Sequence, residues 1–208
     1  QRGDLTAKTP VQTDDELGLL AQSYNEMIDG LRERELVRET FGRFVNPRIA
    51  RTILDHPERL SGEVREATVL FTDIEGFTTV TEAMSPTDTI NLLNEYFEVV
   101  MEPVSRHGGV ITNFTGDSLL AVFNVPEADP DRAANAVRAA LEIERQLKGR
   151  TFGAGLAMRT RIGINTGDVV AGAVGGSDRL GYTILGDAVN LAARLEQLNK
   201  QYGSLIMV

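Results

Sequence analysis

Two acidic turns constrain this chain more than any other feature. One, Phe71-Thr72-Asp73-Ile74-Glu75-Gly76-Phe77, follows the largely apolar run Ala67 to Phe71; the other, Gly116-Asp117-Ser118, precedes the run Leu119 to Phe123. Short runs of this kind, rich in Val and Phe and bounded by glycine, read as buried strands. Each aspartate therefore sits at the tip of a strand whose core has no use for a carboxylate. Taken singly, Asp73 reads as a cap for a helix starting near Gly76, and Asp117 as an Asx turn in a hairpin. Taken together, two such carboxylates are hard oxygen ligands that suit magnesium, which keeps positions open for phosphate oxygens. A two-metal arrangement points to phosphoryl or nucleotidyl transfer.

The chain between these turns alternates strand and helix. Ser85-Pro86-Thr87-Asp88 predicts a capped helix that buries Ile90, Leu93, Phe97 and Val100 and stops at Gly108 and Gly109. Val110 to Phe114 and Leu119 to Phe123 form a predicted hairpin around Thr115 and Gly116, which brings Asp117 toward Asp73. An alanine-rich helix opening at Asp129 and Pro130 runs through Val137, Leu141 and Leu147. Met158, Thr160, Ile162 and Ile164 alternate with Arg159 and Arg161, the pattern of a half-buried strand whose arginines face solvent. Val169 to Val174 reads as another strand, and Gly175, Gly176 and Ser177 as a loop before Tyr182 to Leu185. A helix from about Asp187 to Lys200 buries Leu191, Leu195 and Leu198 and leaves Asn190 and Arg194 on a neighbouring face, and Leu205 to Val208 begins a strand. The fold class is α+β, a mixed sheet with packed helices of the split βαβ kind.

The first segment differs. Thr13-Asp14-Asp15-Glu16-Leu17 reads as a helix start, and Leu17, Leu20, Tyr24, Met27 and Leu31 step by three and four, a heptad seam that predicts a parallel helical partner. Charge from Glu33 to Arg38 breaks the seam, Phe41, Phe44, Val45, Ile49, Ile53 and Leu54 resume an apolar face, and Asn46-Pro47 marks a bend between two short helices.

Composition narrows the partners. With 208 residues, 42% of them apolar and 25% charged, the chain can bury a full core and suits one domain plus an appendage. A net charge of -9 argues against nucleic acid or anionic lipid, though a nucleoside triphosphate can be held through metals. Without cysteine there is no disulfide framework and no thiolate chemistry, which suits a reducing cytoplasm. No run is long enough to span a bilayer, no signal peptide is visible, and the first residue is not methionine, as expected of a fragment.

With Tyr182-Thr183-Ile184-Leu185-Gly186-Asp187-Ala188-Val189 ahead of Asn190 and Arg194, the chain closely resembles the catalytic domain of class III adenylyl cyclases. The matching stretches are Val69 to Phe77, Asn113 to Phe123, Arg161 to Gly175 and Tyr182 to Glu196. Three ordered motifs at fitting separations are far more specific than one. The resemblance implies a palm-like, ferredoxin-like mixed sheet preceded by a helical segment. It also implies an antiparallel homodimer with two shared sites that converts ATP to 3',5'-cyclic AMP and pyrophosphate, using two divalent ions, Mg2+ or Mn2+. On the same ground Asp73, Asp117 and the Ile74 carbonyl hold metal, and the amides of Glu75, Gly76, Phe77 and Thr78 take the triphosphate. Asn190 and Arg194, from the other subunit, orient the ribose and bear on the transition state.

The base-reading pair departs from the commonest family pattern, with Asn113 where many members have lysine and Thr183 at the paired acidic position. An amide donates to an adenine ring nitrogen and a hydroxyl accepts from its exocyclic amine, so ATP remains the expected substrate. Guanylate cyclase is one alternative, and a weak or inactive cyclase-like dimerisation or regulatory module another. A diguanylate cyclase would need a Gly-Gly-Asp/Glu-Glu-Phe turn, which this hairpin lacks.

Asp15-Glu16-Leu17-Gly18 and the seam resemble the second half of a HAMP domain, a relay between a membrane span and an output module; a plain coiled-coil helix is the alternative. The expected division is 1–35 HAMP and signalling helix, 36–62 helical coupling segment and 63–208 catalytic domain, stopping short of the family's closing hairpin. The resemblance implies a cytoplasmic piece of a membrane-anchored parent, with the upstream HAMP and transmembrane portion as its partner in the same chain and no nucleic-acid partner. His56 and His107 receive no role, Arg159, Arg161 and Arg179 are candidates for phosphate contact, and the Glu75 carboxylate is given no metal.

Overall fold

The computed structural model describes residues 5, 7–11, 15–44, 46–176 and 180–208, with backbone alone at 37–44 and 60. Thr13, Asp14, Val45, Ser177, Arg179 and the side chains of Phe41 and Phe44 lie outside the described residues. The chain divides into two compact units, 1–50 and 51–208. Among the described residues, no helix is long and apolar enough to cross a membrane.

In the first unit, helix α1 (Glu16–Phe44) starts where Asp15 Oδ1 accepts from the Leu17 and Gly18 amides at 3.0 and 3.2 Å. The extended residues before it lie along one face of α1: the Thr9 amide donates to Asn25 Oδ1 and Asn25 Nδ2 donates to the Thr9 carbonyl. Ala21 and Ile28 are buried, whereas Leu17, Leu20, Tyr24, Met27 and Leu31 stay exposed. The charged stretch at Glu33 to Arg38 interrupts the seam but not the helix, so the two short helices expected around Asn46-Pro47 are not what forms. Arg, Glu and Leu are good helix formers, so α1 runs on until the Asn46-Pro47 step, giving one long helix followed by a short one. Helix α2 (Pro47–Asp55) opens with Asn46 Oδ1 accepting from the Arg48 amide. It buries Ile49 but leaves Leu54 exposed.

In the second unit, a 3₁₀ turn (Pro57–Ser61) leads into β1 (Glu63–Ile74). Then come α3 (Phe77–Thr81), α4 (Pro86–Arg106), β2 (Val110–Thr115), β3 (Ser118–Phe123) and α5 (Arg132–Leu147). A small β4 (Thr151–Phe152) and β5 (Leu156–Ala157) hairpin precedes β6 (Thr160–Gly175), β7 (Leu180–Leu185), α6 (Asp187–Tyr202) and β8 (Ile206–Met207). The main sheet has the order β2-β3-β1-β6-β7 with antiparallel neighbours, and β8 joins β6 in parallel. The expected mixed α+β sheet with packed helices is present.

Several local expectations are corrected. The two strands read at Met158–Ile164 and Val169–Val174 are one, because β1 pairs without interruption from Glu63 opposite Ala171 to Ile74 opposite Thr160. The turn-like Asn165-Thr166-Gly167-Asp168 is thereby held in the ladder, with the Thr68 and Thr166 hydroxyls 2.8 Å apart. On α4 the core face is Leu92, Tyr96, Val99, Val100 and Val104, while Ile90 is exposed and Leu93 and Phe97 are half-buried. On α5 Ala136, Ala139, Ala140, Ile143 and Leu147 pack inward and Leu141 faces out.

On α6 the buried stripe is Ala188, Ala192, Glu196 and Asn199, not the leucines; Leu191 is exposed. The reason is Gly163: a Cβ there would lie 2.1 Å from the Ala192 carbonyl oxygen and 2.3 Å from the Glu196 nitrogen, so only a glycine opposite small residues lets helix and strand meet. Ile162 and Ile164 point instead into the core with Leu70, Tyr96, Phe123 and Ile143. By strand alternation α6 therefore covers one face of the sheet and α4 with α5 the other.

Candidate active site

The end of β1 carries the centre of the site. Alternation turns Leu70, Thr72 and Ile74 toward the α4 and α5 side and leaves Asp73 on the α6 side, where the ladder sets it opposite Arg161. The β2–β3 hairpin brings Asp117 to the same place: Asp117 Oδ2 accepts from the Ile74 amide at 3.3 Å, and Ser118 Oγ donates to Asp73 Oδ1 at 3.0 Å. The sequence expectation that the two aspartates converge is met. Neither is a helix cap, since α3 is capped by Gly76 at φ +72°, a conformation that glycine adopts without strain.

Arg161 closes this cluster. Its Nη2 donates to Asp73 Oδ2 and its Nε donates to Glu196 Oε1 at 2.9 Å. It is not the solvent-facing residue that strand alternation suggested: its side chain is 14% exposed and that of Glu196 5%. Glu196 was not singled out in the sequence either. Its signal is the four-residue step from Ala188 through Ala192, which puts a carboxylate on a stripe of small buried residues.

The electrostatics follow from crowding. Burial, then the charge of Asp73, pushes the Asp117 carboxyl above the ordinary carboxylate range. Burial and then Asp73 also raise Glu196, outweighing Arg161. Burial opposes the charge on Arg161, but Asp73 and Glu196 prevail and hold the guanidinium above its usual range.

Asp73 and Asp117 offer carboxylate oxygens at one place, and with the Ile74 carbonyl that the family resemblance implies they would make an all-oxygen donor set. Among the described residues, no group of three or more His, Asp or Glu side chains is arranged to hold a metal ion by itself. So open a set fits Mg2+ or Mn2+, whose other positions go to water and phosphate, better than an ion that demands a closed protein cage.

Beside the carboxylates, the amides of Gly76, Phe77 and Thr78 lie at the start of α3, where N–H groups lack helical partners. The Glu75 amide does not join them, contrary to expectation, because it donates to the Arg159 carbonyl at 2.9 Å. The Glu75 carboxylate faces Arg159 Nε at 3.4 Å.

Asn113 and Thr183 also meet. They belong to the strands at opposite ends of the sheet order, yet the Thr183 hydroxyl donates to Asn113 Oδ1 at 3.4 Å. A register shift between Ile111 and Asn113 in β2 accompanies this approach. Asn190 and Arg194 are exposed on α6 and, among the described residues, neither makes a hydrogen bond or ion pair to the carboxylate cluster. His56 lies near Glu58 and His107 near Glu142, both away from the cluster in sequence and contacts.

Comparison with known proteins agrees with this geometry. The adenylate and guanylate cyclase catalytic domain matches residues 61–206, and the HAMP domain matches residues 1–33. An uncharacterized protein of Mycobacterium tuberculosis is 38% identical over 207 residues, which is 100% of this chain and 36% of that protein. The chain thus spans little more than a third of the curated relatives it matches. The structure of a bacterial light-regulated adenylyl cyclase is similar with a TM-score of 0.77 and 28% identity, over 93% of this chain and 57% of the other. The guanylate cyclase domain of RhGC from Catenaria anguillulae, in complex with GTP, has a TM-score of 0.62 and 34% identity over 65% of this chain and 74% of the other. From the strand that delivers Asp73 to the helix that delivers Glu196, the chain belongs to the class III adenylate and guanylate cyclase family, with a HAMP domain at its N-terminus.

Proposed function

We propose that this chain is the catalytic part of an adenylate cyclase that converts ATP to 3',5'-cyclic AMP and pyrophosphate at the interface of a homodimer. The observation that carries the reading is the convergence of Asp73 and Asp117 at neighbouring strand ends. In the reaction the ribose 3' oxygen loses its proton and bonds to the α-phosphorus, and the bond from that phosphorus to the bridging oxygen of pyrophosphate breaks. Two divalent ions held by Asp73, Asp117 and the Ile74 carbonyl would supply the acidification of the 3' hydroxyl and the neutralisation of phosphate charge. The protein's own groups do the rest. The amides of Gly76, Phe77 and Thr78 donate to the triphosphate. Asn190 of a second copy orients the ribose, and its Arg194 opposes charge that builds at phosphorus.

The exposure of Asn190 and Arg194 supports a composite site, since neither serves the carboxylates of its own chain. An apolar groove formed by Ile90, Leu93, Phe97, Met101 and Phe114 supports a dimer in the same way. Asn113 and Thr183 read the base: with Asn113 Oδ1 taking the Thr183 hydroxyl proton, the amide nitrogen is left to donate and the hydroxyl oxygen to accept, a pattern that suits the adenine edge. We assign residues 1–35 to the HAMP and signalling helix, 36–62 to a coupling segment and 63–208 to catalysis, in a membrane-anchored parent with this part in the cytoplasm.

The deciding experiment is product formation from ATP and GTP with Mg2+ and with Mn2+. Preference for cyclic AMP supports the assignment of Asn113 and Thr183, preference for cyclic GMP makes the chain a guanylate cyclase, and no cyclic product leaves a regulatory module. Asp73→Ala should abolish turnover while dimers persist by sedimentation. Mixing Asp73→Ala with Arg194→Ala chains should restore one good site per heterodimer; proven heterodimers that stay inactive rule out shared sites.

A further inference from the structure

Arg161 and Glu196 have no part in the scheme above, yet they are the most buried charges near it. The guanidinium is divided between two elements, with Nη2 on Asp73 at the end of β1 and Nε on Glu196 in α6. Among the described residues the Glu196 carboxylate has no other side-chain partner, and at 5% exposure it is not a surface ion pair. A buried carboxylate is tolerated only when paired, so Glu196 is committed to Arg161. The planar fork of arginine can serve two carboxylates at once, which a lysine ammonium does not reproduce. Asp73, by contrast, has a second claim on it.

We propose that Arg161 is a built-in counter-cation for Asp73, that Asp73 exchanges this guanidinium for a divalent ion, and that Glu196 is a positioning residue which holds Arg161 Nε throughout and retains the guanidinium when Asp73 releases it. The inference rests on Asp73 being a metal ligand. It gives the crowded strand ends a charge balance: Asp73, which the β2–β3 hairpin sets beside Asp117, is neutralised by Arg161 until a metal replaces it. It also gives Arg161 a fixed pivot, so that the guanidinium released by Asp73 remains at the site and is not lost to solvent.

The test is calorimetric titration of the protein with Mn2+ in the absence of nucleotide. Arg161→Gln removes the competitor and should tighten Mn2+ binding by about tenfold, the scale of one charge-assisted contact. Glu196→Gln leaves Asp73 as the single ionised partner of Arg161 and should weaken Mn2+ binding by a similar factor. Opposite signs support the exchange; equal signs, or no change in either variant, overturn it. Asp73→Asn separates the two levels of the argument: if it binds Mn2+ as well as the parent, the metal assignment itself is wrong and the exchange falls with it. Should either variant fail to fold, arginine side-chain NMR of the unaltered protein titrated with Mg2+ decides. The Arg161 Nη signals should shift while its Nε–H stays hydrogen-bonded, and an Nε signal that moves with them, or Nη signals that stay put, refutes the proposal.

Discussion

Val69, Leu70 and Val100 in the sheet unit have no exposed surface, while on α1 Leu17 and Leu20 are 69% and 67% exposed and Met27 is 53% exposed. Both regions are built from apolar residues at regular spacing, but one period closes on its own chain and the other is left open. Fully burying a leucine is worth about 1.5–3 kcal/mol, so the seam of α1 withholds a large part of its stabilisation until something covers it. The sheet unit thus closes its core with residues of its own chain, whereas the α1 seam is left uncovered, as the expected parallel helical partner requires.

Four variants test that contrast. Gly163→Ala should cost at least about 3 kcal/mol, because its Cβ meets helix backbone that cannot rotate away; thermal unfolding should show a domain melting far below the parent. Leu20→Asp with Met27→Asp, on exposed positions, should leave the melting of the sheet unit in place but dissociate the N-terminal helices, read by light scattering. Unchanged mass would show that the seam is not what holds the copies together. Asp117→Asn keeps an acceptor for the Ile74 amide and removes the repulsion from Asp73, so it should raise the melting temperature by about 2–4 °C at neutral pH, the shift that roughly 1 kcal/mol produces in a domain of this size. Because the folded protein raises the Asp117 carboxyl, the penalty of ionising it is absent at low pH and grows as pH rises through its folded value. The gain should therefore vanish on acidification. Gly30→Ala, in the middle of α1 with open space around it, should be the mildest: a stabilisation of about 0.5–1 kcal/mol seen as increased helicity.

The aspartates were legible in the sequence because each interrupts a strand that has no other reason to carry charge. Asn113 and Thr183 were legible only through family resemblance, since nothing local tells that the two ends of the sheet come together. Arg161 and Glu196 were not legible as a pair. Their contact spans 35 residues and depends on the register of β6 against β1, which a one-residue slip would reverse. The leucines of α6 misled for a related reason: hydrophobic size predicts a buried face only when the surface opposite is of ordinary depth, and Gly163 removes that depth.

The same contact has a mechanical consequence. At Gly163 no side chain separates β6 from α6, and on either side Arg161–Glu196 and Asn165 to the Ala188 carbonyl tie strand to helix, so the two form one stiff lever. One arm of it, Glu196, is joined through Arg161 to Asp73 of its own chain; the other carries Asn190 and Arg194 exposed on the helix surface. In the proposed dimer, a tilt of either lever displaces parts of both reaction centres at once. In that dimer the two centres would be geared together.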